Sequence, residues 1–236
     1  MNKGVLYLIP VPLGQSTLDG VLPATVLDRA RKLQHFVAEN AKSARAFLKL
    51  LPSDTPLQQI SIQQLSEHTP AQALPALLTP LHAGSDVGLV SEAGCPAVAD
   101  PGANLVALAQ REGIRVVPLV GPSAILLALM GSGLSGQNFA FHGYLPVKEE
   151  ERQKKLRELE KDSRQETRTQ IFIETPYRNR QLLETAIKTC APGTRICVAS
   201  DLTLANETIT TRTTEEWRSR GLPEVDRRPT VFLLQA

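Results

Sequence analysis

Two loops rich in glycine and proline, each directly after a short apolar run, carry the chemistry to be expected of this chain. The first runs from Asp86 to Gly102 as DVGLVSEAGCPAVADPG, and the second from Arg115 to Ala124 as RVVPLVGPSA. In an open α/β sheet, ligands bind beyond the carboxyl ends of the strands. Gly94, Gly102 and Gly121 let the backbone turn sharply or approach a ligand closely. Pro96, Pro101 and Pro122 hold the loops to a narrow set of shapes. Two such loops, joined by one helical segment, read as the walls of a single small-molecule site.

Missing motifs narrow what that site does. The chain has no GxGxxG, GxxxxGK[ST], GxSxG or HExxH. A standard dinucleotide fingerprint and a P-loop are therefore absent. His35, His68, His82 and His142 share no ligand spacing, and each reads as a surface or loop histidine before it reads as a base. A glycine- and proline-lined pocket without an obvious nucleophile suits a cosubstrate that carries its own leaving group. Transfer of a sulfonium methyl is one such case. Positioning then supplies much of the rate, and the cosubstrate brings the reactivity.

The elements that must position these loops follow from periodicity. Val5 to Ile9 is a near-continuous apolar run, as expected of a strand covered on both faces. With only Lys3 before it and no small-residue cleavage site, it reads as a first strand, not a signal peptide. Leu22 to Gln34 has helical spacing, Phe36-Val37-Ala38 reads as a strand, and Ser43 to Leu51 as a helix. Pro52 to Glu67 is a softer stretch holding the short strand candidate Ile60-Ser61-Ile62. Ala71 to His82 reads as helix despite Pro75 and Pro80. Asp86–Val90, Asn104–Arg111 and Arg115–Leu119 read as a βαβ unit. Ser123 to Met130 reads as an apolar helix with Ser123 as N-cap. Ser132 to Asn138 is the linker candidate. Lys148 to Arg168 reads as a charged surface helix, with Glu150–Lys154 and Glu151–Lys155 as i,i+4 pairs. Thr169–Ile173, Arg195–Ser200 and Thr230–Leu234 are expected strands, with a helix over Leu182–Lys188.

With 236 residues the chain is expected to hold two domains, 1–120 and 121–236. An apolar fraction of 42% and a charged fraction of 21% are those of a soluble globular protein. Aromatics make up only 4%, which counts against extensive base stacking. Cys95, Cys190 and Cys197 are odd in number and widely spaced, which argues against a disulfide framework or zinc site and for a reducing cytoplasm. No apolar stretch is long enough to span a bilayer. The net charge of +2 by itself implies no nucleic-acid partner. Arg29, Arg31, Lys32, Lys42, Arg45 and Lys49 nevertheless face Glu39 alone in their segment, six positives against one negative. That segment reads either as a solvated helix face or as a phosphate-binding patch.

Taken in order, several stretches resemble the tetrapyrrole methylase-type S-adenosylmethionine-dependent methyltransferases, over nearly the whole chain. They are Ile9–Gly14, Val90–Pro96 with Asp100-Pro101-Gly102, Val116–Ala124, Gly143–Pro146 and Ile171–Arg178. Within that class the chain is most similar to the branch that methylates a cytidine ribose 2′-hydroxyl of small-subunit ribosomal RNA. The resemblance implies an α/β protein of two α/β domains with the cofactor cleft between them, acting as a homodimer without membrane attachment. It departs from the branch at Asn40 and Lys42, where Asp and Arg are usual. It departs again at Ser200 to Leu204, where two basic groups are missing. It also ends just after its last apolar run, where RNA-modifying members usually carry a further segment.

By that resemblance S-adenosylmethionine borders Pro12 and Leu13. It follows Ala93, Gly94, Cys95, Pro96 and Val98, meets Ser123 and Ala124, and is closed by Ile173, Leu202 and Thr230. Ile173 and Leu202 read equally as plain core, and Cys95 as a small lining residue, not a nucleophile. No metal is expected. The acceptor hydroxyl needs a group to take or orient its proton. Glu39, Asp100, Glu174 and Asp201 flank the implied cleft, and Glu174 and Asp100 are the catalytic candidates. Glu174 reads alternatively as a cap of the following helix. RNA contact is expected through Arg29, Arg31, Lys32, Lys42 and Arg45. Two other readings stay open: methylation of a tetrapyrrole or other small metabolite, and S-adenosylmethionine binding without catalysis.

Overall fold

The apolar run after Gly4 forms β1 (Leu6–Ile9), the strand on which the first half of the chain is built. The computed structural model describes residues 3–51 and 55–236 and divides the chain into two units, Met1–Ser123 and Ala124–Ala236. Met1 and Asn2 at the start of the expected first domain, and Pro52, Ser53 and Asp54 at the start of the soft stretch, lie outside the described residues. No helix among the described residues is long and apolar enough to cross a membrane.

In the first unit β1 is followed by α1 (Leu18–Val21), α2 (Ala24–Arg31), β2 (His35–Ala38), α3 (Ala41–Lys49) and β3 (Ser61–Gln64). Then come α4 (Leu74–Leu77), α5 (Thr79–His82), β4 (Val87–Val90), α6 (Gly102–Arg111) and β5 (Val116–Pro118). The strands pair in parallel in the order β3-β2-β4-β1-β5. The expected β4-α6-β5 crossover therefore passes over β1, which lies between its two strands.

Alternation along the strands sends side chains to two cores. Ile9, Phe36, Ala38 and Val90 join Val26, Leu27, Ala44, Phe47 and Leu48 of α2 and α3. Leu6, Val37, Val87 and Leu89 join Leu77, Leu81, Leu105 and Ala109 of α4 to α6. Helices on both faces explain why these strands are apolar along their whole length.

Two helix readings need correction. Leu22 takes an extended backbone before Pro23, so the helix expected from Leu22 starts at Ala24 and is preceded by the short α1. Pro75 and Pro80, which lack amide donors, divide Ala71–His82 into a 3₁₀ turn and the one-turn helices α4 and α5.

The second unit contains α7 (Ala124–Ser132), β6 (Phe139–Tyr144), α8 (Glu149–Glu166), β7 (Thr169–Ile173) and α9 (Asn179–Thr189). β8 (Arg195–Ser200), β9 (Thr208–Thr213), α10 (Thr214–Arg220) and β10 (Thr230–Gln235) complete it. Its sheet runs β6-β7-β10-β8-β9 and is mixed: β6 and β7 are parallel, and the other pairs are antiparallel. β10 is central and buried along its length. Phe172 and Phe232 stack at 6.0 Å between ring centroids, in a core with Leu156, Leu182, Leu183 and Trp217. The buried Trp217 ring donates Nε1–H to the Ile196 carbonyl at 3.0 Å.

Ser132–Asn138 is not a linker between the units. It joins α7 to β6, and the Gln235 side chain accepts from Ser135 N–H at 3.1 Å. On α8 the close ion pairs are Lys148–Glu151 and Lys155–Glu158, at i,i+3 instead of the expected i,i+4. Both are exposed and contribute little to stability.

Asn40 shows why one departure from the family pattern is harmless to the fold. Its Oδ1 accepts from Lys42 N–H at 2.9 Å and Ser43 N–H at 3.4 Å, capping α3. Asn and Asp are nearly equal in this role, whereas Ala leaves those donors bare. Asn40→Ala is expected to cost about 1 kcal/mol and Asn40→Asp only a few tenths, read from urea unfolding curves. Equal losses for the two variants would show that the cap does not hold α3.

Candidate active site

The carboxyl edge of the first sheet carries the loops. After β1 and β4 the chain segments meet in an isolated antiparallel bridge: Val11 N–H donates to the Gly94 carbonyl at 3.0 Å, and Gly94 N–H to the Val11 carbonyl at 3.1 Å. Gly94 sits at φ +70°. A Cβ there would stand 3.0 Å from Leu13 Cδ2 and 3.3 Å from the Pro122 carbonyl oxygen. The bridge therefore demands glycine both for its backbone angle and for space. At Gly121, a Cβ would approach Pro10 Cβ to 2.3 Å, so the third loop packs directly on the first.

The loop between β4 and α6 is strained and pinned. Ala97 and Ala99 adopt φ +65° and +54°, a region that non-glycine residues seldom occupy. Asp100 Oδ1 accepts from Ala97 N–H at 3.1 Å and Gly102 N–H at 2.7 Å. Ser91 Oγ donates to the Gly94 carbonyl at 3.0 Å, and Cys95 Sγ to the Pro122 carbonyl at 3.4 Å. Burial pushes the Cys95 thiol up, away from the thiolate a nucleophile needs. Val98 is half exposed at the tip. Ala93 is exposed, Pro12, Leu13 and Cys95 are partly so, and Gly94 and Pro96 are buried. The first unit thus brings together Pro12, Leu13, Ala93 to Pro96 and the Pro122 turn that leads to Ser123. Ala124 is the first residue of α7.

In the second unit Ile173 ends β7, Thr230 begins β10, and Leu202 follows β8, so the three share one end of that sheet. Leu202 is buried, and the Thr230 hydroxyl is engaged, lying 2.9 Å from Ser200 Oγ and donating to the Arg228 carbonyl. Asp201 is tied to Arg228 Nε at 2.6 Å and to the Asn206 amide, so it closes the turn after β8.

Glu174 is different. Its side chain is fully buried. Oε1 accepts from Thr175 N–H at 2.7 Å, Thr175 Oγ–H at 3.1 Å and Arg178 Nη2–H at 2.6 Å. Oε2 has no hydrogen-bond partner among the described residues, and neither does Arg178 Nε, although both are buried. An unsatisfied buried carboxylate oxygen costs about 1–3 kcal/mol or more and calls for an explanation.

Charge is sorted by sheet edge. Arg29, Arg31 and Lys32 lie at the end of α2, just before β2, whereas Lys42 and Arg45 lie on α3, just after it. The five expected phosphate contacts are therefore not one patch. Arg31 pairs with Asp28 at 2.9 Å, and Arg29 stacks on the Tyr7 ring at 4.6 Å. Sequence reading missed Arg115, which lines a cavity of about 450 Å³ together with Arg29 and Tyr7. Arg115 precedes β5, so only the fold brings it near Arg29. At the carboxyl edge lie Glu39, Glu67, Glu92 and Asp100, and the last three act on Glu39.

Comparison with known proteins places this geometry in context. The family described as Tetrapyrrole (Corrin/Porphyrin) Methylases matches residues 5–217. "Ribosomal RNA small subunit methyltransferase I" of Vibrio cholerae serotype O1 is 33% identical over 205 residues, covering 87% of this chain and 67% of that protein. The protein of the same name from Escherichia coli O157:H7 is 34% identical over 212 residues, covering 88% and 68%. Among solved structures, the methyltransferase CobJ matches with a TM-score of 0.64 at 20% identity, over 98% of this chain and 94% of that one. That last likeness is one of fold.

The acidic edge makes a pH prediction. Burial first, then the charges of Asp100, Glu92 and Glu67, hold the Glu39 carboxyl above the usual carboxylate range. The folded protein then binds more protons than the unfolded chain between the two pKa values, so this group's contribution to stability falls as pH rises through that window. Glu39→Gln is expected to raise the urea midpoint at neutral pH, with the gain shrinking toward about pH 4. A midpoint at neutral pH that stays level or drops would contradict this account.

Proposed function

The chain belongs to the tetrapyrrole (corrin/porphyrin) methylase family and is a methyltransferase, and on that footing we propose that it methylates ribosomal RNA at a ribose 2′-hydroxyl using S-adenosylmethionine. The observation that carries this reading is the 33% identity, over 87% of the chain, to a relative named for small-subunit ribosomal RNA methylation. The fold likeness to CobJ, at 20% identity, gives no comparable reason to prefer a tetrapyrrole acceptor.

The residues present fit the cofactor. Gly94 lets the loop backbone pass close to Leu13 and the Pro122 carbonyl, and the loop around it is held in place by bonds internal to the protein. Pro12, Leu13, Ala93, Cys95 and Val98 offer apolar surface and backbone for an adenosine and its amino-acid tail. Buried Gly94 and Pro96 act by shaping that surface, and Ser123 and Ala124 extend it. The negative carboxyl edge suits a cationic donor. A cofactor contact by Ile173, Leu202 and Thr230 rests on family likeness, and their local packing gives it no separate support. When bound, S-adenosylmethionine supplies a methyl group on a positively charged sulfur, and the carbon–sulfur bond breaks as the acceptor oxygen bonds to the methyl carbon.

We assign the acceptor's proton to Glu174. Arg178, Thr175 N–H and Thr175 Oγ hold Oε1, which leaves Oε2 for another partner. A hydroxyl is both donor and acceptor, so it matches the unpaired Oε2 and the unpaired Arg178 Nε together. The proton released as oxygen bonds to carbon passes to Oε2. Asp100, the other catalytic candidate, has Oδ1 committed to two backbone amides, and we assign it to holding the loop.

Two measurements test this reading. Gly94→Val is expected to weaken S-adenosylhomocysteine binding more than tenfold by calorimetry. Gly136→Ala, where a Cβ meets nothing within 4 Å, leaves it unchanged. Parent-like binding by the valine variant would remove the glycine from the site. Glu174→Gln is expected to lower turnover on small-subunit ribosomal RNA by about 10²- to 10⁴-fold while cofactor binding stays intact. Full turnover in that variant would exclude Glu174 as the proton acceptor.

A further inference from the structure

All ten aromatic residues of the chain are among those described, and most are buried or packed against neighbours. Phe139, Tyr144 and Tyr177 are the exceptions, and the two tyrosines are the more exposed, at 61% and 72%. Both belong to the same corner of the second unit. Tyr144 ends β6, where its Cα pairs with Ile173 across a register shift that follows Phe141. Gly143, at φ +63°, makes the turn that the shift needs. Tyr177 lies in the 3₁₀ turn Pro176–Arg178 that follows β7.

Arg178 acts with both. Its guanidinium lies over the Tyr177 ring at 5.3 Å, and Nη2 donates to the buried Glu174. The hydrogen bond to Glu174, then the Glu174 charge and the Tyr177 and Tyr144 phenols, hold Arg178 charged above its ordinary range, although burial opposes this. The corner is also fixed from behind. Arg152 is buried, and its Nη1 donates to the Val147 carbonyl at 2.8 Å, anchoring the loop that carries Tyr144.

We infer that Tyr144 and Tyr177, with the Arg178 guanidinium against the Tyr177 ring, form a platform on which unpaired nucleobases of the RNA substrate stack. Exposed aromatic faces beside a planar guanidinium are what single-stranded bases require. Every base presents a π face, and a base edge can accept from or donate to the tyrosine hydroxyls. The Arg178 charge is already matched by Glu174, so the platform gains by stacking and not by neutralising phosphates. Tyr177 and Arg178 stand three and four residues after Glu174, so the platform lies on the same turn as the carboxylate proposed above to take the hydroxyl proton. This inference rests on the RNA reading and adds the residues that select unpaired bases.

The test uses fluorescence anisotropy with a labelled ten-nucleotide single-stranded oligocytidylate, together with steady-state methylation of small-subunit ribosomal RNA. Tyr177→Ala and Tyr144→Ala are each expected to weaken oligocytidylate binding about tenfold. The corresponding Phe variants stay within about twofold of the parent, since the ring face is kept. The slope of log affinity against log salt should not change, because no phosphate contact is lost. Cofactor binding, melting temperature and sedimentation should match the parent. Alanine variants that bind like the parent, Phe variants that lose as much as Ala, or a flattened salt slope would each overturn the platform. So would a change in oligomeric state, which would mark the tyrosines as an interface between copies. If the parent methylates RNA with a KM that Tyr177→Ala does not move, the platform falls and the RNA reading stands. A parent that neither binds nor methylates RNA removes both.

Discussion

The two hydrogen bonds between Val11 and Gly94 are the constraint on which the loops of the first unit depend. β1 and β4 run parallel, and the bridge beyond their carboxyl ends is antiparallel, so the chain after β4 must reverse within a few residues. The positive φ at Gly94 makes that reversal, and the left-handed turns at Ala97 and Ala99 return the chain to α6. Each left-handed alanine costs of order 1–3 kcal/mol and persists only where its surroundings dictate it. Asp100 supplies part of that dictation by capturing the Ala97 and Gly102 amides. Strain held in a partly exposed loop contributes nothing to the cores on either side of the sheet. Its effect is to present a fixed backbone surface at the edge where α/β sheets bind ligands.

The second unit spends stability in a different way. Burying the Glu174 carboxylate costs several kcal/mol before its attraction to the partly exposed Arg178 is counted, and an apolar residue of similar volume would often do as well or better. Glu174 and Arg178 are nonetheless paired end-on, through Oε1 and Nη2, which leaves Oε2 and Nε unsatisfied. A pair kept only to hold the fold would close into the two-bond fork that Arg and Glu form readily. The half-open arrangement keeps hydrogen-bonding capacity for a third group, consistent with a site and not with a staple.

Most of the elements were legible, because central strands read as apolar runs and helices as 3.6-residue stripes. β6 and β9 escaped because both are edge strands: Phe139-Ala-Phe-His-Gly-Tyr144 is interrupted by glycine, and Thr208-Ile-Thr-Thr-Arg-Thr213 is nearly polar throughout. α10 left a signal that was there to be used, since Thr213 and Glu216 form a capping box. The site was legible as loops and only partly as side chains. Glycine and proline at Gly94, Pro96 and Pro122 marked the turns. The work of Asp100 and Asp201 was not visible, because a carboxylate that ties a loop has the same letter as one that moves a proton. Asn40 shows the reverse case: a lost charge drew attention while the capping function was conserved chemically. The low aromatic content counted against base stacking, yet what matters is exposure, and Tyr144 and Tyr177 are among the few aromatics left open.

The division of charge bears on where a polyanion can rest. Burial first, and then the charges of Asp100, Glu92 and Glu67, lift the Glu39 carboxyl at the carboxyl edge of the first sheet. Phosphates approaching that edge meet repulsion, and Lys42 at the start of α3 offsets only part of it. Arg29 and Arg115 line a common cavity, and Arg29 and Lys32 line a neighbouring one together with Asp86. On the RNA reading proposed above, Arg29, Lys32 and Arg115 are better placed for phosphates than Lys42 and Arg45. A cationic methyl donor and a polyanionic acceptor make opposite demands on one protein surface. On the proposed reading, Glu39 and Asp100 at one edge of the sheet and Arg29 and Arg115 at the other answer these demands separately, in a chain with a net charge of only +2.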